Sequence, residues 1–230
     1  MSDFAPAPRT GRRFAHSRLV RRGDVGVDAH ARPDALARYL QDVAGDDWDD
    51  AVGPDEDTWV VRRTSVRLLE GGHWPRLGEL VTLSTWCAGT GAAWAERRSD
   101  VSVDGAVVLE ATALWVPIDA SGRPRRIRRN FYEIYGEEAA RKVPGRVASA
   151  PLAPTLSRSW PLRSADLDVV GHVNNAVVWE AFSEMTSHVR AATVVHLGPL
   201  EEGDDVTLAS APGRFWLVVD GAVRVAGEFD

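Results

Sequence analysis

With 230 residues, 44% of them apolar, the chain can form one large domain or two small ones around a buried core, which excludes a disordered polypeptide. A formal charge of −6 argues against a general nucleic-acid binder, and a single cysteine, Cys87, excludes both an intrachain disulfide and a thiolate metal site. The polar start MSDFAPAPRTGRRF lacks the apolar stretch of a secretory signal, and no window approaches the roughly eighteen apolar residues of a membrane span, so a soluble cytoplasmic protein is expected.

In chain order, RRFAHSRLVRRGDV reads as a strand. Pro33 to about Ala44 reads as a helix, with Leu36, Tyr39, Leu40 and Val43 on one face and Pro33 suited to the first turn. Four segments rich in β-branched and aromatic residues come next, TWVVRRTSVRLL, ELVTLSTWCAG, AAWAERRSDVSVDG and AVVLEATALWVPI, parted by Gly or Asp-Gly turns. Residues 119 to 155, rich in Gly, Pro, Ala and charge, are expected to be a linker. The order then repeats. TLSRSWPLRSADL reads as a strand, Asn175 to about Ala191 as a helix, and ATVVHLG, DVTLASA, RFWLVVD and AVRVAGEF as strands, with a hairpin turn at VDG, residues 219 to 221.

The repetition extends to single residues. At an offset of 142, Asp24 falls on Asp166, Val27 on Val169, His30 on His172 and Val43 on Met185. Further on, GELVTLSTW from Gly78 resembles GDDVTLASA from Gly203 at an offset of 125, as a shorter connection in the second copy would produce. One helix on a curved antiparallel sheet cannot cover both of its faces, so the two copies are expected to pair through their sheets.

Strand, DLDVVGHVNN, helix and antiparallel sheet in tandem resemble the acyl-acyl-carrier-protein thioesterases, which are double hotdog proteins. YLQDVAGDDW, TWVVRRTSVRL, GELVTLSTWCAG and ALWVPIDASGRPRRI are similar to that family's first half, and GHVNN is also similar to single-hotdog thioesterases of the hydroxybenzoyl-CoA type. The resemblance implies an α+β fold of two hotdog units, each an antiparallel sheet wrapped around one long helix: residues 1–118 non-catalytic, 119–155 a linker, and 156–230 bearing the active site. It implies hydrolysis of a fatty acyl thioester on the phosphopantetheine arm of acyl carrier protein, with Asp168 as the catalytic aspartate and His172 as the matching histidine. The chain departs from the family at three places. Val170 stands where an asparagine is usual, Val178 where tyrosine is frequent, and Leu200, beside Glu201 and Glu202, where an acidic or cysteine side chain is expected.

The groups themselves suit this chemistry. Thioester hydrolysis needs an activated water or a carboxylate nucleophile, and donors for the oxyanion that forms on the carbonyl. Asp168 can be base or nucleophile, His172 can orient water or polarise the carbonyl, and Glu201 is the nearest candidate for the missing acid, against the plainer reading of Glu201 and Glu202 as an exposed turn pair. Gly171 permits a tight turn and close ligand approach, so N–H groups at Gly171, Val173, Asn174 and Asn175 are expected to face the carbonyl, Asn174 or Asn175 also capping the helix. The same polar residues, taken alone, also read as helix caps and a turn. In the first copy Gly26 replaces Asp168 and Arg32-Pro33 replace the Asn pair, so that copy is expected to be inactive and to shape the acyl pocket. Trp48, Trp59, Trp86 and Trp94 are candidate lining residues. Cys87 reads as a buried structural thiol, and Glu180 and Glu184 as a solvated helix face.

Arg125, Arg126, Arg128 and Arg129 form the candidate docking patch for an acidic carrier protein, against the plainer reading of such a run as a solvated linker. No phosphate-binding loop, Ser/His/Asp signature or His-rich metal spacing is present, so no metal and no cofactor are expected. Two rival readings stand beside the main one: an acyl-CoA thioesterase, and a non-catalytic acyl-binding protein. A chain holding both copies is compatible with a monomer or a homodimer.

Overall fold

The computed structural model describes residues 4, 6–8, 11–53, 58–169, 171–186 and 189–230; Val170, one of the three departures from the family pattern, lies outside them. The first copy contains β1 (Phe14–Leu19), α1 (Pro33–Val52), β2 (Thr58–Leu68), β3 (Leu80–Thr90), β4 (Ala95–Val103) and β5 (Ala106–Ile118). After α2 (Arg129–Tyr135) come β6 (Leu156–Ser159), α3 (Glu180–Ser183), β7 (Ala191–His196), β8 (Thr207–Ala211), β9 (Arg214–Val219) and β10 (Ala222–Phe229). All the strands belong to one antiparallel sheet in the order β1-β3-β4-β5-β2-β7-β10-β9-β8-β6.

Pairing of β2 with β7 joins the copies, from Arg63 opposite Val195 to Arg67 opposite Ala191. Ser65 and Thr193 share a 2.8 Å hydroxyl hydrogen bond across this seam. Each copy also closes the same two-residue hairpin. Asp104-Gly105 and Asp220-Gly221 both take positive φ, at 50° and 81° and at 51° and 76°, between the pairs Val103–Ala106 and Val219–Ala222. Positive φ at both central residues is what a type I′ turn requires, and Asp-Gly supplies it cheaply.

α1 begins at Pro33 after Arg32 and ends at Gly53, whose φ of 100° lets its N–H reach the Asp49 carbonyl at 3.0 Å. Its face of Leu36, Tyr39, Leu40 and Val43 packs on Leu83, Val101 and Leu109 of the first half-sheet. The same core continues without a break through Val177, Val178, Trp179 and Phe182 to Phe215 and Leu217 of the second. Each such side chain removed from water is worth about 1.5–3 kcal/mol.

Two sequence expectations change here. The helix expected over 175–191 is a 3-10 turn at Val177–Trp179 running into the four-residue α3. Val177, Val178, Thr186 and Val189 are β-branched, which lowers helix propensity, whereas the matching stretch of α1 has Ala35, Ala37 and Ala44. The expected linker is structured: α2 places Phe131 and Tyr135 in a second apolar cluster with Cys87 and Ala95. Tyr135 donates to Asp47 at 2.9 Å, and Lys142 bridges Thr90 at the end of β3.

Candidate active site

The segment from Arg163 to Val177 is built as a closed polar loop. A 3-10 turn at Ser164–Asp166 is fixed by the Asp166 carboxylate, which accepts from the Arg163 N–H at 2.9 Å and from its guanidinium. Asp168 donates its N–H to the His172 carbonyl at 2.8 Å, and its carboxylate accepts from the His172 N–H at 3.2 Å. Gly171 takes φ +81°, and a Cβ there would meet nothing within 4 Å, so the turn leaves open space beside the backbone. The Asn174 side-chain oxygen accepts from the Ala176 N–H at 2.9 Å, closing a turn just before the 3-10 turn at Val177–Trp179.

The first copy builds the same loop. Asp24 holds Arg21 as Asp166 holds Arg163, and the bridge from Val25 to Ala31 corresponds to that from Leu167 to Val173. The bridge from His30 to Arg76 corresponds to that from His172 to Glu201, which preserves both sequence offsets. Glu201, exposed, therefore stands beside His172, and its N–H is held by Asp204 at 2.8 Å. Leu200, at the expected acid position, is buried in the apolar core, as is Val178. His30 is engaged differently from His172, with its ring 3.1 Å from the Arg76 guanidinium and 3.5 Å from Asp28.

One expectation about donors is corrected. Gly171 donates its N–H to Asp168, Val173 to Leu200 and Asn174 to Asp166, at 3.0, 2.9 and 2.8 Å. These three backbone groups close the loop and do not face a ligand. Of the four residues expected to serve an oxyanion, Asn175 lines a small cavity.

That cavity, about 20 Å³, lies where the copies meet, between Asn175, Ala176 and Trp179 on one side and Ala37, Leu40 and Gln41 of α1 on the other. Gln41 and Trp115 also line a chamber of about 470 Å³ whose walls combine Trp48, Trp59, Cys87 and Phe131 with the charged Asp42, Asp46, Asp49, Glu96 and Arg97. Trp48 and Trp59 both line this chamber. Trp86 is fully buried outside the lining, and Trp94 packs against Gly91 and Gly145 while donating to the Val143 carbonyl at 3.0 Å. Burial pushes the Cys87 thiol up to about 11, so it is protonated and unreactive at neutral pH.

At the chamber's edge Asp47 is wholly buried and accepts from Arg97 at 2.5 Å and Arg12 at 2.6 Å. Glu180 is paired with Arg163 at 2.9 Å and Glu184 with Arg158 at 2.8 Å, ion pairs at the surface. Of the docking candidates, Arg126, Arg128 and Arg129 are exposed and Arg125 half-buried; Arg126 and Arg128 border a small cleft shared with Trp48, Trp59 and Phe131. Sequence reasoning missed His196, buried at the end of β7 and facing the same small cavity as Asn175. The signal for it was a lone histidine closing the apolar run ATVVH.

Two half-sheets of one duplicated design, joined edge to edge, with a long helix on the first, a short helical turn on the second and a matching polar loop before each, define a double hotdog protein. Residues 11–135 match the family model described as the acyl-ACP thioesterase N-terminal domain. The chain belongs to the acyl-ACP thioesterase family and is a thioester hydrolase acting on acyl-ACP. It is similar to the crystal structure of an acyl-ACP thioesterase from Bacteroides thetaiotaomicron, at 17% identity and TM-score 0.78 over 94% of this chain and 96% of that one. It is similar to the 12:0-ACP thioesterase from Umbellularia californica at 17% identity and TM-score 0.77, over 97% and 98%. An uncharacterized protein of Mycobacterium tuberculosis shares 22% identity over 90% of this chain and 86% of its own length. No helix among the described residues is long and apolar enough to cross a membrane.

Proposed function

We propose that the protein releases free fatty acid from acyl carrier protein in the cytoplasm, with Asp168 as general base or nucleophile. The observation that carries this reading is positional: within two loops of matching hydrogen bonds, the second copy has Asp168 where the first has Gly26, and Asn175 where the first has Pro33. In this reading residues 1–118 supply the acyl chamber, 119–155 connect, and 156–230 carry the chemistry.

Asp168 takes a proton from a water as its oxygen attacks the thioester carbonyl carbon. His172 and Glu201 flank the attacked group, and Asn175 donates to the oxyanion as it forms. Collapse of the tetrahedral intermediate breaks the C–S bond. The phosphopantetheine thiol leaves with a proton, and the acyl group departs as the acid. Water and thioester give acid and thiol, with no oxidant or cofactor in the balance.

The chain runs from Asn175 past Gln41 and Trp115 into the aromatic chamber. Arg125, Arg126, Arg128 and Arg129 attract the acidic carrier to the chamber side of the molecule. Asp168→Asn tests the core of this proposal by fatty acid release alongside thermal melting. Loss of turnover with an unchanged melt is the expected result, and a folded, fully active variant refutes it. Arg126→Glu with Arg128→Glu should raise KM for acyl-ACP in a salt-dependent way; an unchanged KM removes the patch.

A further inference from the structure

A second chamber lies at the loop that has Gly26 in place of Asp168. It measures about 510 Å³, against about 470 Å³ for the first, and residues of both copies enclose it. The first copy contributes loop residues between Gly26 and Pro33, and the second contributes Ser183, Thr186, Val189 and Arg190. At the offset of 142, Ser183 and Thr186 fall on Gln41 and Ala44, which line the first chamber from α1. The two chambers thus share one wall of the duplicated design.

Their chemistry differs. Gly26, Arg32 and Pro33 stand here where the second copy has Asp168, Asn174 and Asn175. Leu69 donates its N–H to Val108 as Leu197 does to Arg224, so the lining residue Leu68 takes the place that His196 has in the second copy. Together with Val27, Trp74 and Val189 it makes much of the wall apolar. Among the charged lining residues, Asp28 accepts from the His30 N–H at 3.1 Å within its own loop, and Arg32 is paired with Asp34 at 3.0 Å. Arg190 is exposed and has no ion-pair partner among the described residues. It is left to meet an anion.

We propose that this second chamber binds a free fatty acid without turning it over, Arg190 pairing the carboxylate and the apolar wall covering the chain. The choice of occupant rests on the reading of the reaction as fatty acid release. Chambers of about 300–1,000 Å³ hold small ligands against mostly apolar walls, with a few polar groups that orient them. An arginine suits a carboxylate because it can offer two parallel N–H donors. One molecule then holds its product at a place distinct from the Asp168 loop.

Calorimetric titration with dodecanoate, beside initial rates of acyl-ACP hydrolysis, tests the assignment. Ser183→Trp fills the second chamber from an exposed position and should remove one equivalent of bound dodecanoate while the initial rate is unchanged. Arg190→Glu should weaken the same equivalent by about tenfold, the scale of one charge-assisted hydrogen bond. Val27→Glu alters a fully exposed side chain on the loop and should weaken it too, which keeps the test open should Ser183→Trp melt early. Methyl dodecanoate, which keeps the chain and lacks the charge, should bind the wild type and Arg190→Glu alike. Identical dodecanoate titrations in the wild type and all three variants overturn the proposal, as does a wild type that binds no dodecanoate or binds the methyl ester as tightly. A wild type that hydrolyses no acyl-ACP counts against the reading of the reaction instead. The chamber is then judged by the same titrations, which need no turnover.

Discussion

Gly26 and Asp168 hold the same place in two loops, each donating its N–H to the carbonyl of the histidine four residues on, at 2.9 and 2.8 Å. Because glycine already serves this position in the first copy, Asp168→Gly should fold. Its stability should fall by about 1–2 kcal/mol, from the backbone entropy of glycine and the lost bond between the His172 N–H and the Asp168 carboxylate. Acyl-ACP hydrolysis should be lost. A urea titration and a turnover assay on the same preparation check both halves of the statement.

Asp47 holds the edge of the chamber together. Its carboxylate receives Arg12, Arg97 and Tyr135, and so ties α1 to the N-terminal arm, to β4 and to α2. Removing one partner of a buried ion pair leaves the other charge uncompensated, so Asp47→Ala should cost about 3–5 kcal/mol in chemical denaturation. Asp47→Asn should cost less, since it still offers one oxygen.

Gly45 lines the chamber from α1, and a Cβ placed on it meets nothing within 4 Å. Gly45→Ala should stabilise the helix by about 0.5–1 kcal/mol, read from the denaturation midpoint. Gly45→Phe projects a ring into the chamber, and the profile of acyl chains hydrolysed should move to shorter ones while the melt is retained.

His196 makes stability sensitive to acid. Its unfolded value is 6.5 and its folded value about 4, so between those limits the unfolded chain binds a proton that the folded one does not. Stability contributed by the neutral ring is complete above pH 6.5 and is lost as pH falls toward 4, by roughly 3 kcal/mol. Denaturation midpoints at a series of pH values should fall more steeply for the wild type than for His196→Leu over this window.

The fold was legible where local chemistry and tertiary structure agree. The Asp-Gly turns, the β-branched runs and the apolar face of Leu36, Tyr39, Leu40 and Val43 each specify an element within a few residues of sequence. The second helix was over-extended because Val178, Phe182 and Met185 keep helical spacing, while the β-branched residues around them do not sustain the turns. Asp168, His172 and Glu201 are joined through the backbone: the Asp168 N–H bonds the His172 carbonyl, and His172 bridges Glu201 as His30 bridges Arg76 in the first copy. The backbone donors at Gly171, Val173 and Asn174 were misjudged since hydrogen bonds that close a loop leave no trace in composition. His196 needs Gln41 from far along the chain to become part of a cavity, and no local pattern announces that meeting.

The β2–β7 seam makes this molecule a dimer written as one polypeptide. In a pair of identical chains every substitution is made twice, and a change that enlarges the pocket in one subunit would disarm the active loop in both. Fusion across the seam breaks that symmetry. With glycine at position 26 and aspartate at 168, the two halves already differ at one shared place in the loop, and each can change further without the other.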